Sequence, residues 1–227
     1  MAISYYNRGL IEEAITILDI GPDDLMNNIW KAYLNDDKKE LVNILTNTKI
    51  NFSFPFRRES IKILSWTKDI YPNWKADYLL SLNLWGKGRY EESQSLLSSI
   101  EEKSDNPIFY LIRGLMLEKL DIDPINDFKK AYKLNDKNWR ISKALSNYYF
   151  DSKKYNLSHD ILKKAFNNDK TNYIIGMDYV KTLVKLESYS SAISVLDNLH
   201  ILPYEHAGEG RELYTNCLLY TSDAADE

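Results

Sequence analysis

One cysteine, Cys217, stands among 227 residues, so the chain can hold no internal disulfide framework and no zinc site built from several thiolates. Glycine and proline are sparse, at eight and six residues, which argues against a low-complexity chain and leaves room for long uninterrupted elements. No apolar run approaches the roughly 18 residues of a membrane span, and mean hydropathy is -0.44; no membrane insertion is expected. The 29 basic residues do not outnumber the 33 acidic ones. The counterion release that drives binding to a phosphate backbone therefore has no source, and nucleic acid is not expected as a partner.

The motifs of catalysis are missing as well. There is no HExxH, no CxxC and no glycine-rich phosphate loop behind a strand, and His159, His200 and His206 have no second ligand at metal spacing. Gly208-Glu209-Gly210 follows no strand and reads as a connection. Glu12-Glu13 and Glu91-Glu92 fall in the opening turns of helices, where negative charge complements the helix dipole. No set of residues fills the roles of an active site, so the reading is of a protein that is not an enzyme and needs no cofactor or metal.

What the chain does have is a repeated helical hairpin. Trp74 to Ile100, WKADYLLSLNLWGKGRYEESQSLLSSI, predicts an apolar helix, a turn centred on Gly88 and a second amphipathic helix. RGLIEEAI at the start mirrors KGRYEESQ, so Gly9 and Gly88 are expected at helix ends with positive φ. Tyr155 and Tyr189, Ser158 and Ala192, and Leu162 and Leu196 are each 34 residues apart. Ten small residues, Ala14, Ala32, Ser81, Ser93, Gly114, Ala131, Ser146, Ser158, Ala165 and Ala192, mark where helices must cross closely.

Three stretches depart from this regularity. Residues 36–57 read as an insertion with a short helix near Lys39 to Thr46, followed by NFSFPF, whose Phe52, Phe54, Pro55 and Phe56 suggest an extended segment laid across the hairpins. After IFYLIRGLMLEKL, a turn at Asp121 to Asp123 is expected to be about two residues shorter than the others, with Asp123 capping a helix that opens on Pro124. A terminal helix is expected from near Glu209. The tail from Cys217 to Glu227 resembles a translated sequencing-library adapter, so residues 217–227 read as a non-native addition.

The 34-residue hairpin register resembles the tetratricopeptide repeat over about residues 2–206. That resemblance implies an all-α, right-handed superhelical solenoid of antiparallel helix hairpins, about five to six of them in a single array over residues 1–216, the first incomplete. The segments FPFRRES, WKADYLLSLNLWGKGRYEES and LHILPYEHAGEGREL are also similar to the C-terminal repeat region of an uncharacterised bacterial family, in which such hairpins follow an N-terminal mutarotase-like β-sandwich domain. Either the first helix is degenerate or Met1 falls within a hairpin of a longer protein, the second being the preferred reading.

The resemblance implies a scaffold for protein–protein interaction, in which the first helix of each hairpin lines a concave groove that takes a peptide or partner domain. Its candidates here are Lys75, Tyr78, Leu82 and Trp85, then Arg140, Lys143, Asn147 and Phe150, then Met177, Asp178, Lys181 and Lys185. Lys143 and Asn147, one helical turn apart, are similar to half of a clamp for a peptide's terminal carboxylate. Asp178 in the next first helix opposes that ligand, and Tyr78 and Trp85 are read as hairpin packing before peptide anchors. The alternative is an accessory solenoid packed on the missing β-sandwich domain. The lone thiol and the lack of a span fit a cytoplasmic location.

Overall fold

The computed structural model describes residues 1–50, 53–100, 105–199 and 207–223. Phe52, His200 and His206 lie outside the described residues. Among those described there are fourteen helices and no strand, as expected of an all-α chain. The chain divides into two compact units, Met1–Asp105 and Asn106–Glu227.

The first unit contains α1 (Ala2–Tyr6), α2 (Ile11–Ile20), α3 (Leu25–Leu34), α4 (Lys38–Asn47), α5 (Glu59–Ile70), α6 (Trp74–Gly86) and α7 (Tyr90–Ser99). Helices pair in order as α1 with α2, α3 with α4 and α6 with α7, and α5 packs against both α3 and α6. Leu25, Ile29, Leu41, Leu45, Ile63, Leu64 and Leu79 fill the core between them. Tyr6 meets Trp30 edge-on at 5.4 Å, and Tyr33 meets Trp66 at 5.2 Å.

The second unit contains α8 (Pro107–Lys119), α9 (Ile125–Leu134), α10 (Trp139–Asp151), α11 (Tyr155–Asn168), α12 (Tyr173–Lys185), α13 (Tyr189–Asp197) and α14 (Ala207–Asp223). The first six form three hairpins, and α14 covers α12 and α13. Ile175, Val180, Ala192, Leu196, Leu199 and Cys217 share its core. Burial pushes the Cys217 thiol pKa up.

Hairpin formation follows from how each helix starts and stops. Asp24, Asn73, Asn106, Asn138 and Asn172 each accept a backbone N–H from the first turn of α3, α6, α8, α10 and α12. Such a cap satisfies donors that the helix leaves free. At the other end the chain turns through a residue of positive φ: Gly9, Asp36, Gly88, Asp121, Lys153 or Glu187. The next residue donates its N–H to a carbonyl five positions back, as in Arg89 to Leu84 at 3.0 Å and Lys154 to Tyr149 at 2.8 Å. This is the Schellman closure. Gly9 and Gly88 take it as the sequence predicts, and four non-glycine residues take it too.

The shared turn corrects the boundary of the insertion. Asp36 has φ 49° and Asp37 donates to the Ala32 carbonyl at 2.9 Å, so α3 and α4 form a hairpin and residue 36 belongs to its turn rather than to an insertion. Lys75 secures α4, its Nζ donating to the carbonyls of Leu45 at 2.7 Å and Thr48 at 2.6 Å. A cation there satisfies terminal carbonyls and complements the helix dipole. Residues 53–57 form no helix or strand, Pro55 is buried, and the Asn83 side-chain amide donates to the Arg57 carbonyl at 2.8 Å. That part of the expected extended strap is present.

The α8–α9 link is longer than the rest, not shorter. It spans residues 120–124, whereas 87–89, 152–154 and 186–188 suffice elsewhere. Asp123 accepts the Ile125 N–H at 3.0 Å, and Pro124, which has no N–H to give, precedes the helix. In the α6–α7, α10–α11 and α12–α13 hairpins the fifth residue after the turn residue is small and buried: Ser93, Ser158 and Ala192. Here the slot falls one residue later, to Asp127. Arg113 closes it with two hydrogen bonds, Nε to Oδ2 at 2.7 Å and Nη2 to Oδ1 at 2.5 Å, while stacking on Phe109 and Tyr110. Bidentate geometry is what lets a carboxylate be held out of water.

All ten small residues singled out from the sequence are buried. Gly114 shows why: a Cβ there would lie 2.5 Å from Cε1 of Phe128, whose ring is itself fully buried.

Candidate functional site

The structure sorts the first-helix candidates into three groups. The first is consumed by packing. Tyr78 is 3% exposed, and burial pushes its phenol pKa well above the ordinary range. Met177 is buried. Trp85 packs on Tyr90 at 4.6 Å across its own hairpin turn, and Lys75 is committed to α4. Desolvation lowers the Lys75 ammonium pKa against the opposing pull of Asp105.

The second group is exposed or half-buried but scattered. Leu82 is half-buried on α6, Lys185 is exposed at the end of α12, and Arg140 lies over the Trp139 ring at 4.4 Å.

The third group converges. Lys143, Asn147 and Phe150 on α10 meet Asp178 and Lys181 on α12 around a cavity of about 270 Å³. Their spacing explains it: residues 143, 147 and 150 lie on one face of α10, and 178 and 181 on one face of α12. The floor comes from the second helix between them, where Ser158 and Leu162 of α11 are buried. Ser158 is 3.3 Å from the Thr182 hydroxyl, and Thr182 donates to the Asp178 carbonyl at 2.9 Å. Phe150 packs on Tyr155 at 5.3 Å, closing the turn end of the cavity.

Its electrostatics are balanced. The Lys143 ammonium donates to Asp178, whose other oxygen lies 3.7 Å from Lys181 Nζ. Lys181 also pairs with Glu209 of α14 at 2.5 Å. A chain of alternating charge therefore runs across α10, α12 and α14. Asp178 does not stand as an isolated negative charge, and the two ammonium groups are engaged by carboxylates of the chain itself. Asn147 and the exposed Asp151 complete the rim.

Missing from the sequence candidates are Asp151 and Thr182 on the first helices themselves, and Ser158, Leu162 and Glu209 on α11 and α14. Thr182 follows Asp178 by four positions and was legible as the same face. Ser158 was visible only as a packing residue, and Glu209 only as part of a terminal helix.

Chemically, the cavity offers hydrogen-bond donors and acceptors side by side. Among the described residues no group of three or more His, Cys, Asp or Glu could hold a metal ion. His159 contacts Asp160 at 3.1 Å and the Tyr179 hydroxyl at 3.5 Å. No described helix is long and apolar enough to cross a membrane.

Neither a family model nor a curated protein matches the chain. Among solved structures it is similar to YrrB, a tetratricopeptide-repeat protein with an unusual peptide-binding site, at 13% identity and a TM-score of 0.54 over 92% of this chain and 96% of that one. It is likewise similar to pilF of Pseudomonas aeruginosa, at 14% identity and a TM-score of 0.56 over 100% of this chain and 94% of that one. The fold is that of the tetratricopeptide-repeat proteins.

Proposed function

We propose that the chain is a non-enzymatic protein-interaction module that holds a peptide or partner domain against the first-helix face of α10 and α12. The observation that carries this reading is the convergence of Lys143, Asn147, Phe150, Asp178 and Lys181 on one cavity. A terminal carboxylate would have to displace the partly buried Asp178 from Lys143 and so break a charge-assisted hydrogen bond, which is costly. The mixed donors and acceptors instead suit the N–H and C=O groups of an internal peptide segment, with Phe150 beside an apolar side chain.

The test is selection of peptides from a displayed library on the full chain, followed by titration of the recovered sequences. Joint replacement of Lys143, Asn147 and Lys181 by Ala should weaken the selected peptides by about tenfold or more with helicity unchanged, and amidating their C-termini should change little. Undiminished binding refutes the groove assignment. Loss on amidation alone restores the carboxylate clamp.

A second reading, an accessory solenoid packed on a β-sandwich domain of a longer protein, draws on Phe54 and Phe56. They are 51% and 68% exposed beside a cavity of about 510 Å³ reaching Met26 and Trp30. Phe54→Asp with Phe56→Asp should then abolish association with that domain supplied separately; intact association would sink this reading.

A further inference from the structure

A cavity of about 740 Å³ lies on the opposite helix layer, between α11 and α13. Its floor is aromatic: Phe166 and Tyr179 are buried with ring centroids 5.8 Å apart. One wall is the exposed face of α11 carrying Lys163 and Asn167, with Lys170 two residues beyond its end, and the other is the serine face of α13. Small side chains on α13 leave the space that a larger residue would fill.

The charge in this groove is unmatched, in contrast to the cavity between α10 and α12. No acidic residue lines it. Among the described residues Lys163 and Lys170 enter no ion pair, while neighbouring Lys164 turns away to Asp136 at 2.5 Å. Asp169, the acid nearest in sequence, directs its carboxylate to the N–H and hydroxyl of Thr171 at 3.0 and 2.6 Å. Those hydrogen bonds hold it below the ordinary carboxylate range.

We infer that this groove is a second binding site, for an extended peptide segment of the pattern acid–x–apolar–x–acid. Lys163 lies on α11 and Lys170 two residues past its end, so five helical steps of 1.5 Å and two further residues of at most about 3.6 Å bound their backbone separation at roughly 15 Å. In an extended chain, residues i, i+2 and i+4 share one side, and i and i+4 lie about 13 Å apart. Lysine stems absorb the difference. Two carboxylates then reach the two ammonium groups, and the central apolar side chain drops onto Phe166 and Tyr179, which sit between them. Charge-assisted hydrogen bonds orient the segment and burial on the rings holds it.

The test uses the full chain and a fluorescent peptide of sequence Gly-Glu-Ser-Leu-Ser-Glu-Gly, read by anisotropy at low salt. Binding should fall by about tenfold or more when Glu becomes Lys in the peptide, and likewise when K163E and K170E are combined in the protein. The reversed peptide should then bind the reversed protein. Ser194→Phe, which fills the groove without changing charge, should also abolish binding. Failure of the Glu peptide to bind, equal binding of the Glu and Lys peptides, or indifference to both protein variants overturns the proposal. The Lys143, Asn147 and Lys181 triple variant should bind this peptide normally, which separates this site from the one between α10 and α12.

Discussion

In Met1–Asp105 the turn residues Gly9, Asp36 and Gly88 lie 27 and 52 residues apart, whereas in Asn106–Glu227 Asp121, Lys153 and Glu187 lie 32 and 34 apart. The first unit absorbs its irregular spacing with an extra helix, α5, and a strap, and seals the joints with edge-on aromatic pairs and the Lys75 staple. The second keeps its register and joins equivalent faces with ion pairs: Arg113 with Asp127 inside one hairpin, and Lys143, Asp178, Lys181 and Glu209 between hairpins. Regular spacing puts like positions of successive hairpins side by side, so a groove of repeated polar chemistry can form. Irregular spacing does not, and apolar surface fills the mismatch. This is why Lys75, Tyr78 and Trp85 on α6 became packing residues while Lys143, Asn147, Phe150, Asp178 and Lys181 on α10 and α12 met at one cavity.

The largest expected effect is that of Trp30→Ala, which removes the ring that α1 packs on and should cost about 3–5 kcal/mol. Hydrogen exchange should show protection lost within residues 1–105 and kept within 106–227; equal loss in both would mean that the two units do not differ as independent folding blocks. Arg113→Ala leaves Asp127 buried without its partner and should cost about 3 kcal/mol, read as a lower denaturation midpoint for the second unit. A neutral result would remove ion pairing from what distinguishes that unit. Overpacking by Ala192→Leu should cost about 1–3 kcal/mol, since Ala192 is fully buried, and an unchanged midpoint would take Ala192 out of the core.

Smaller effects sharpen the contrast. Lys153→Gly and Glu187→Gly should each stabilise the second unit by about 0.5–1 kcal/mol, because φ values of 58° and 57° strain a side-chain-bearing residue and not glycine. Destabilisation would show that these side chains matter more than the backbone they sit on. The smallest effect is in acid. The Glu59 pKa is lowered, chiefly by the Asn7 amide, from an ordinary 4.5, and the Asp136 pKa, chiefly by Lys164, from an ordinary 3.8. Depressed carboxylates contribute stability that is present above those ordinary values and lost as pH falls through the lowered ones. Thermal midpoints should drop slightly between pH 5 and pH 3, and Lys164→Met should remove part of the drop for the second unit.

Much of this was legible in the residues. Capping Asn and Asp side chains, the glycines at two turns and the small residues at close crossings act locally, or through a steric limit that any neighbour would impose. The turns at Lys153 and Glu187 were not legible as positive-φ positions, because those residue types do not favour that conformation and only the closure of the hairpin enforces it. The α3–α4 hairpin was hidden for the same reason, since Asp36 gives no glycine signal. The groove between α11 and α13 was also hidden, because its serines are unremarkable until two second helices are set side by side.

The sequence alone determined that the chain is a stack of helical hairpins, since helix periodicity, caps and a 34-residue register are properties of neighbours along the chain. Only the tertiary structure decided which polar residues are available. Whether Lys75 reaches a carbonyl, Lys143 reaches Asp178 or Lys163 reaches no described carboxylate depends on residues 27 to 35 positions away or on none at all. The physical reason is that a charge is spent or free according to what stands within about 4 Å of it, and that distance is set by packing between helices.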